Sequence, residues 1–231
     1  LMNPSIFTFN DEAEFLQTAF DDTLLLIKES IRKFETCRIG LAGGSTPEAL
    51  YAKLADEKLP WGKITLITLD ERQVPSDSKE SNLRMIRESL LKKISIPPEN
   101  IISFDTSLPP ESSAKEMSRK LIALSHDRFP IFDLLILGAG ADGHIASLFE
   151  GDEALECTKY ASVAHAEGYK TPDRLSICLI ALKSAGSAML LLKGEKKLPV
   201  LAALKGEQVQ PKLTALREVM EDVPTKVLAY T

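Results

Sequence analysis

The richest glycine cluster of the chain surrounds His144, one of only three histidines, in the segment LGAGADGHIASLFEG. This segment follows FDLLILG, a nearly continuous apolar run that is typical of a buried strand. Asp142, two positions before the histidine, is placed to orient the imidazole ring or to favour its charged form. An ordinary imidazole, with a pKa of about 6.5, can accept a proton near neutral pH. We therefore predict that His144 is a general base and that Asp142 is its partner.

A second loop, LAGGSTPEALY, follows the apolar run that begins at Cys37. Gly43 and Gly44 allow the backbone to come close to a ligand, since glycine has no side chain. Ser45 and Thr46 offer hydroxyls and amides at the start of a helix, where the helix dipole favours an anion. The pattern predicts a phosphate-binding loop. An ordinary tight turn with a Ser or Thr cap is the alternative.

A third polar segment, DERQVPSDSKESN, directly follows the apolar run ITLITL. Charges next to a buried strand are costly unless they are paired or used. Arg72 could hold a phosphate or a developing oxyanion through its planar fork of donors. We expect Asp70 and Arg72 to belong to a functional site. We interpret Glu71 as part of a solvated strand end with a local ion pair.

The glycine cluster has a competing interpretation as a dinucleotide-binding fingerprint. Gly138, Gly140 and Gly143 spell GxGxxG after a strand, and Glu167 follows at a plausible distance. However, the fingerprint usually occupies the first strand–helix turn of its domain, whereas this one lies well past the middle of the chain. It would also require a helix that begins with His144 beside the pyrophosphate. We therefore disfavour it.

These loops are positioned by apolar strands that alternate with helical patterns. The strands are predicted in CRIGLAG, ITLITL, FDLLILG, ASVAHA, LSICLIAL, SAMLLL and KVLAY, and the helices at about 11–34, 47–54, 81–91, 111–124 and 198–205. The alternation predicts an α/β fold with three αβα layers, in which helices cover both faces of a mostly parallel, Rossmann-like sheet. We expect one domain over residues 1–231. Ligands of such sheets bind beyond the carboxyl ends of the strands.

The composition excludes several classes of function. A formal net charge of -5 argues against binding to nucleic acid through phosphate neutralisation. No apolar run approaches the ~18 residues that span a bilayer, and the first residues do not resemble a signal peptide. Cys37, Cys157 and Cys178 form no CxxC pair, so we expect neither a disulfide framework nor a metal site. These features predict a cytoplasmic protein without a membrane or nucleic-acid partner.

The three loops, taken in order, resemble the 6-phosphogluconolactonase family and its wider superfamily with glucosamine-6-phosphate deaminase. The shared motifs are GGSTP with a following LY, DERxVP with a nearby SN, and LGxGxDGHxASLFxG. Two later segments are also similar. KTPDRLS matches a family loop that carries an arginine, here Arg174, and GEKK matches a GxxK signature, here Lys197. The resemblance covers most of the chain and implies that both residues bind substrate.

Some positions depart from the family pattern, and one of them distinguishes its two branches. Ile145 and Glu150 replace a usual threonine and proline, and Lys170 is followed by Thr-Pro rather than Pro-Pro. By resemblance, the deaminase branch has a glutamate five positions after the histidine, within an FNEPG-like segment. This chain has Phe149 at that position, and phenylalanine cannot titrate. The deaminases also tend to have DEY where this chain has DER. Both differences favour the lactonase branch.

The resemblance implies hydrolysis of 6-phospho-D-glucono-1,5-lactone to 6-phosphogluconate without metal or organic cofactor. Neutral His144 would activate water, and the phosphate would bind the loop from Gly43 to Thr46. The resemblance leaves open which of Arg72, Arg174 and Lys197 meets the phosphate and which the oxyanion. Deamination of an amino-sugar phosphate and non-catalytic binding of a sugar phosphate are the alternatives. We expect a monomer or a small homo-oligomer.

Overall fold

The computed structural model describes residues 4–231, which form ten strands and seven α-helices. The strands are β1 (Ser5–Phe9), β2 (Cys37–Leu41), β3 (Ile64–Thr68), β4 (Asp70–Arg72), β5 (Ile101–Ile102), β6 (Leu134–Gly138), β7 (Ala161–His165), β8 (Asp173–Ile177), β9 (Ala188–Lys193) and β10 (Thr225–Tyr230). Seven of them form a parallel central sheet in the order β1-β10-β9-β6-β2-β3-β5. The predicted parallel sheet is therefore confirmed.

The helices cover both faces of this sheet. They are α1 (Glu12–Phe34), α2 (Ser45–Ala55), α3 (Asn82–Ser89), α4 (Pro110–Asp127), α5 (Leu179–Leu182), α6 (Leu198–Leu204) and α7 (Thr214–Asp222). Apolar side chains of α1 to α3 pack in one core, and those of α4 to α7 pack in the other. Strand β6 contributes side chains to both cores, because successive residues of a strand point to opposite faces. Leu134 and Ile136 lie in the first core, and Leu135 and Leu137 lie in the second. This is the predicted three-layer αβα architecture. No helix within residues 4–231 is long and apolar enough to cross a membrane.

The longest helix, α1, shows how local sequence sets its ends. The side chain of Asp11 accepts a hydrogen bond from the amide of Glu14 at 2.8 Å and caps the first turn. Acidic residues occupy that turn, and the basic residues Arg32 and Lys33 occupy the last one, as the helix dipole favours. The helix ends where Glu35 adopts a left-handed conformation with φ 65°. The predicted amphipathic helix over 11–34 is confirmed.

A second, antiparallel sheet of three strands begins at the carboxyl edge of the central sheet. Strand β4 starts two residues after β3 ends, and it pairs with β8, which pairs in turn with β7. The ASVAHA segment and the start of LSICLIAL therefore lie in this small sheet rather than among the parallel strands. This small sheet connects the polar segment after β3 to the hairpin between β7 and β8.

The structure corrects the prediction in two further places. The run LSICLIAL is not one strand, since β8 ends at Ile177 and Leu179–Leu182 form helix α5. A short apolar run cannot distinguish a buried strand from a buried helical turn, because both lack polar positions. Helix α7 was not predicted, although Leu216, Val219 and Met220 show helical spacing and are all buried.

Candidate active site

A cavity of about 690 Å³ lies at the carboxyl edge of the central sheet. Its walls come from the loops after β2, β3, β6 and β9 and from the small antiparallel sheet. Of the predicted site residues, the following line it: Gly43, Gly44, Ser45, Thr46, Asp70, Arg72, His144, Arg174 and Lys197. Asp142, the remaining one, is bonded to His144 at the cavity wall. The fold therefore brings together five segments that are far apart in sequence.

His144 and Asp142 form a hydrogen-bonded pair. Nδ1 of the imidazole lies 2.6 Å from Oδ1 of the carboxylate. A carboxylate only accepts hydrogen bonds, so this contact requires a proton on Nδ1 and leaves the lone pair of a neutral ring on Nε2. Within residues 4–231, Nε2 has no hydrogen-bond partner. The ring of Phe149 packs against the imidazole with centroids 4.3 Å apart. The arrangement has the geometry of a general base.

The carboxylate of Asp142 is held in its charged form. Burial alone would raise its pKa, but the hydrogen bond and the charge of His144, with a further hydrogen bond from Tyr169, outweigh that effect. The resulting pKa of Asp142 is about 2. Asp142 therefore stays ionised throughout the neutral range, where it can stabilise a positive charge on the imidazole.

A tight loop after β6 places this pair. The amide of Gly140 donates to the carbonyl of His144 at 2.8 Å. A Cβ on Gly140 would lie 2.2 Å from both Asp142 Oδ1 and His144 Nδ1, so only glycine leaves room for the pair. Gly143 has a φ of 93°, a left-handed conformation that favours glycine. No α-helix begins at His144, so the dinucleotide-binding alternative lacks the helix N-terminus that it requires.

The loop from Gly43 to Thr46 opens helix α2 toward the cavity. Gly44 takes the N-cap position with φ 102°, and no side chain caps the helix. This finding contradicts the alternative of an ordinary turn with a Ser or Thr cap. The first backbone amides of a helix have no intrahelical partners, so here they remain available to an anion. Gly43 also lets Asn82 approach, because a Cβ there would lie 2.0 Å from the Asn82 amide oxygen.

Asp70 ties two of the loops together. One of its carboxylate oxygens accepts from the Asn82 amide at 2.9 Å, and the other accepts from the Ser147 hydroxyl at 2.7 Å. Its side chain lines the cavity although it is almost fully buried. Asp70 therefore links the segment after β3 to the His144 loop at the place where a substrate would lie.

Glu71 differs from its predicted environment. We expected a solvated strand end with an ion pair, but the residue is only 2% exposed. Its carboxylate accepts hydrogen bonds from the Ser81 hydroxyl and from the amides of Arg72, Asn82 and Leu83. Burial raises its pKa in spite of these donors. We expected an ion pair because Glu71 lies between two charged residues. The sequence does not reveal that residues 81–83 fold back over this side chain.

Arg72 and Arg174 meet in the small sheet. They are paired residues of the antiparallel strands β4 and β8. Arg72 donates to the carbonyl of Glu80 at 2.5 Å, while its buried Nε has no partner within residues 4–231. Arg174 donates to the carbonyl of Thr171 at 2.6 Å, and burial together with the charge of Arg72 lowers its pKa. Two neighbouring guanidinium groups at a cavity wall are suited to an anion.

Lys197 lies beside the loop of His144. Its ammonium donates to the carbonyl of Ala139 at 2.5 Å. Burial lowers the pKa of Lys197, and the charge of Asp142 opposes this effect. Lys197 follows a turn at Gly194 that comes directly after β9. Lys197 thereby adds an ammonium group to the cavity that Arg72 and Arg174 also line.

Sequence reasoning missed Tyr169, which also lines the cavity. Its hydroxyl donates to Asp142 Oδ2 at 3.1 Å, although the two residues are 27 positions apart. No motif contains this tyrosine. The one available signal is a large aromatic residue beside a glycine in a polar loop that precedes a strand.

The remaining histidines and cysteines lie outside the cavity lining. His126 is exposed in the last turn of α4, and His165 is exposed at the end of β7. All three cysteines are free, and burial raises the pKa of the Cys37 thiol to about 12. Residues 4–231 contain no group of three or more His, Cys, Asp or Glu side chains that could hold a metal ion.

The chain is similar to proteins of one family along almost its whole length. Residues 10–223 match the family described as glucosamine-6-phosphate isomerases/6-phosphogluconolactonase. A 6-phosphogluconolactonase from Thermotoga maritima is 37% identical over 158 residues, which are 68% of this chain and 70% of that protein. One from Nostoc sp. is 32% identical over 206 residues, which are 87% of this chain and 85% of that protein.

Solved structures are similar over the whole fold. The 6-phosphogluconolactonase from Thermotoga maritima superposes with a TM-score of 0.86 at 28% identity and covers 99% of this chain and 100% of its own. The enzyme of the same name from Trypanosoma brucei gives a TM-score of 0.84 at 27% identity, with 100% and 97% covered. The three-layer architecture is therefore that of these proteins.

Proposed function

This chain belongs to the glucosamine-6-phosphate isomerase/6-phosphogluconolactonase family as an enzyme of its lactonase branch, and we propose that it hydrolyses 6-phospho-D-glucono-1,5-lactone to 6-phosphogluconate. In this proposal His144 is the general base. We also assign the reaction to the cytoplasm, which is supported by the three free cysteine thiols. The substrate is a small phosphosugar lactone, and no metal or organic cofactor takes part.

One observation carries the proposal: Nδ1 of His144 is bonded to Asp142, while Nε2 has no partner within residues 4–231. This geometry leaves a basic nitrogen at a cavity that is also lined by Arg72, Arg174 and Lys197 and by an uncapped helix N-terminus. A general base beside an anion-binding wall is what hydrolysis of a phosphorylated lactone requires.

The reaction proceeds by attack of water on C1 of the lactone. Nε2 of His144 takes a proton from the water as its oxygen bonds to C1, and the charge of Asp142 stabilises the imidazolium that forms. The carbonyl oxygen becomes an oxyanion. When it collapses, the bond between C1 and the ring oxygen breaks, and the ring oxygen takes the proton back from His144. The new carboxylic acid then ionises to the carboxylate of the product.

The cations supply the electrostatic part of catalysis. The dianionic phosphate binds at the Gly43–Thr46 loop, with charge-assisted hydrogen bonds from guanidinium groups. A cation or backbone amide near C1 stabilises the oxyanion, and each such donor is typically worth about 10²–10³ in rate. We assign these two tasks to Arg72, Arg174 and Lys197, which line the cavity. Replacement of a residue that binds the phosphate should raise KM, whereas replacement of a residue that stabilises the oxyanion should lower kcat. The two effects therefore assign a task to each residue.

Phe149 favours hydrolysis over deamination. The resemblance implies an acid at this position in the deaminase branch, and here an aromatic ring packs on the imidazole instead. A direct assay with freshly prepared 6-phosphogluconolactone and, separately, with glucosamine 6-phosphate tests the proposal. We expect turnover of the lactone well above its uncatalysed hydrolysis and no ammonia from the amino sugar. Binding of 6-phosphogluconate without turnover of either compound would contradict the proposal and identify a binding protein.

A further inference from the structure

Tyr169 lies on the hairpin that joins β7 to β8 and reaches the cavity from outside the three recognised loops. Its amide donates to the carbonyl of Ala166 at 3.1 Å, and Gly168 before it has a φ of 79°, so a tight turn presents the ring. The residue remains 42% exposed. Burial in the core therefore does not account for a large aromatic side chain here.

The hydroxyl of Tyr169 completes the hydrogen bonding of Asp142. It donates to Oδ2 at 3.1 Å, while Oδ1 lies 2.6 Å from Nδ1 of His144. Two donors from different loops thus fix the plane of one carboxylate. The side chain of Asp142 is 46% exposed, so without the tyrosine its carboxylate could rotate and exchange the imidazole for water.

Tyr169 can donate at every pH at which the enzyme would work. Burial, with the charge of Asp142, raises the pKa of the phenol to about 12. The hydroxyl therefore keeps its proton, and the Asp142 carboxylate keeps its charge. The direction of the hydrogen bond is fixed as a consequence.

The ring of Tyr169 also limits the imidazole. It meets His144 edge-on, with an interplanar angle of 84° and centroids 5.9 Å apart. The ring of Phe149 also packs on the imidazole, and its centroid lies 5.5 Å from that of the Tyr169 ring. Two aromatic side chains thus border the histidine in addition to its bonded carboxylate.

We propose that Tyr169 is a positioning residue of this site: it holds Asp142 so that His144 keeps its proton on Nδ1 and presents Nε2 as the base. Its effect on turnover rests on the proposed lactonase function. Its effect on the imidazole does not, since the position of that proton can be measured without substrate.

The substrate-free test measures the tautomer of His144 by NMR in protein labelled with ¹⁵N-histidine. Only three histidines are present, and the His144→Gln variant identifies the relevant signals. We expect the neutral ring of the unmodified protein to carry its proton on Nδ1. In Tyr169→Phe, the share with the proton on Nε2 should rise about three- to tenfold, as for loss of one hydrogen bond. Tyr160→Phe is the matched control, because its hydroxyl has no hydrogen bond within residues 4–231.

The kinetic test uses the same variants. Tyr169→Phe should lower kcat about three- to tenfold and change KM less than about twofold, because the lost contact acts on the base and not on the bound phosphate. Tyr160→Phe should leave both constants unchanged. A Tyr169→Phe protein with an unaltered tautomer, or with unaltered kcat, overturns the proposal. If the unmodified protein does not turn over the lactone, the proposed function fails and the tautomer result still decides the role of Tyr169.

Discussion

Arg72 and Arg174 lie directly opposite each other across the antiparallel pair of β4 and β8, and both line the cavity. Like charges in directly opposed positions destabilise a sheet. A bound dianion removes this repulsion, so the protein should gain stability from it. The pair thus provides a direct measure of whether the cavity is an anion site.

Inorganic phosphate and 6-phosphogluconate should therefore raise the Tm of the protein. At a concentration of about 100 times Kd, a ligand of the native state stabilises it by roughly 2.7 kcal/mol. The shift should be much smaller in Arg72→Leu and in Arg174→Leu. It should be unchanged in Arg119→Leu, which replaces an exposed arginine of α4. Equal shifts in all four proteins would exclude these arginines from the anion site.

The same arginine variants separate the two tasks of the cations. If Arg72 holds the phosphate, Arg72→Leu raises KM at least about tenfold, as expected for a lost charge-assisted hydrogen bond, and changes kcat little. A loss confined to kcat would instead place Arg72 at the oxyanion. Steady-state kinetics with fresh lactone, corrected for uncatalysed hydrolysis, distinguish the two results.

Gly140→Ala should lower kcat strongly in a folded protein. The added Cβ would lie 2.2 Å from Asp142 Oδ1 and His144 Nδ1, so the pair must separate. An effect of about 10²-fold is expected from misplacement of a catalytic group. Gly62→Ala is the matched control, since a Cβ there meets nothing within 4 Å. Normal turnover in folded Gly140→Ala would show that the pair is not needed.

The pH dependence of stability should reveal the charge of Asp142. Its pKa is lowered to about 2, from about 3.9 for an unperturbed aspartate. A lowered pKa in the folded state stabilises the protein above the unfolded pKa, and this contribution is lost as the pH falls through the folded one. The difference in Tm between the unmodified protein and Asp142→Asn should therefore be fully present at pH 5 and disappear toward pH 2. A difference that already vanishes near pH 5 would contradict the ionised pair.

Glu71 should matter for stability more than for chemistry. Its carboxylate accepts four hydrogen bonds in a buried position, and an unsatisfied buried donor costs about 1–3 kcal/mol. Glu71→Ala should lower the free energy of unfolding by several kcal/mol in urea denaturation, whereas exposed Glu88→Ala should change it by less than about 0.5 kcal/mol. A Glu71→Ala protein of normal stability would refute this role.

The sequence revealed the segments of the site better than their mutual contacts. The loops of Gly43, Asp70 and His144 were located because glycine clusters and charges after apolar strands are unusual, and parallel strands bring their carboxyl ends to one edge. The burial of Glu71 could not be predicted, since it depends on how residues 81–83 fold back over it. The contact between Tyr169 and Asp142 likewise depends on tertiary structure that no local pattern encodes.

The fold was predicted in its layers and in most of its elements, because period-2 and period-3.6 patterns are local. The edge strand β1, the two-residue β5 and helix α7 were missed. The first two bury few side chains completely, so their apolar pattern is weak. The small antiparallel sheet depends on pairing between β4 and β8, which are about a hundred residues apart, and local periodicity carries no information on such pairing.

Turnover of 6-phosphogluconolactone by His144→Ala tests the central claim most directly. Circular dichroism and thermal unfolding establish that the variant is folded, and His126→Ala, which alters an exposed histidine of α4, serves as the matched control. General-base catalysis contributes about 10²–10⁴ in rate. The account predicts a loss of kcat in that range for His144→Ala and none for His126→Ala. A folded His144→Ala protein with normal kcat would contradict it.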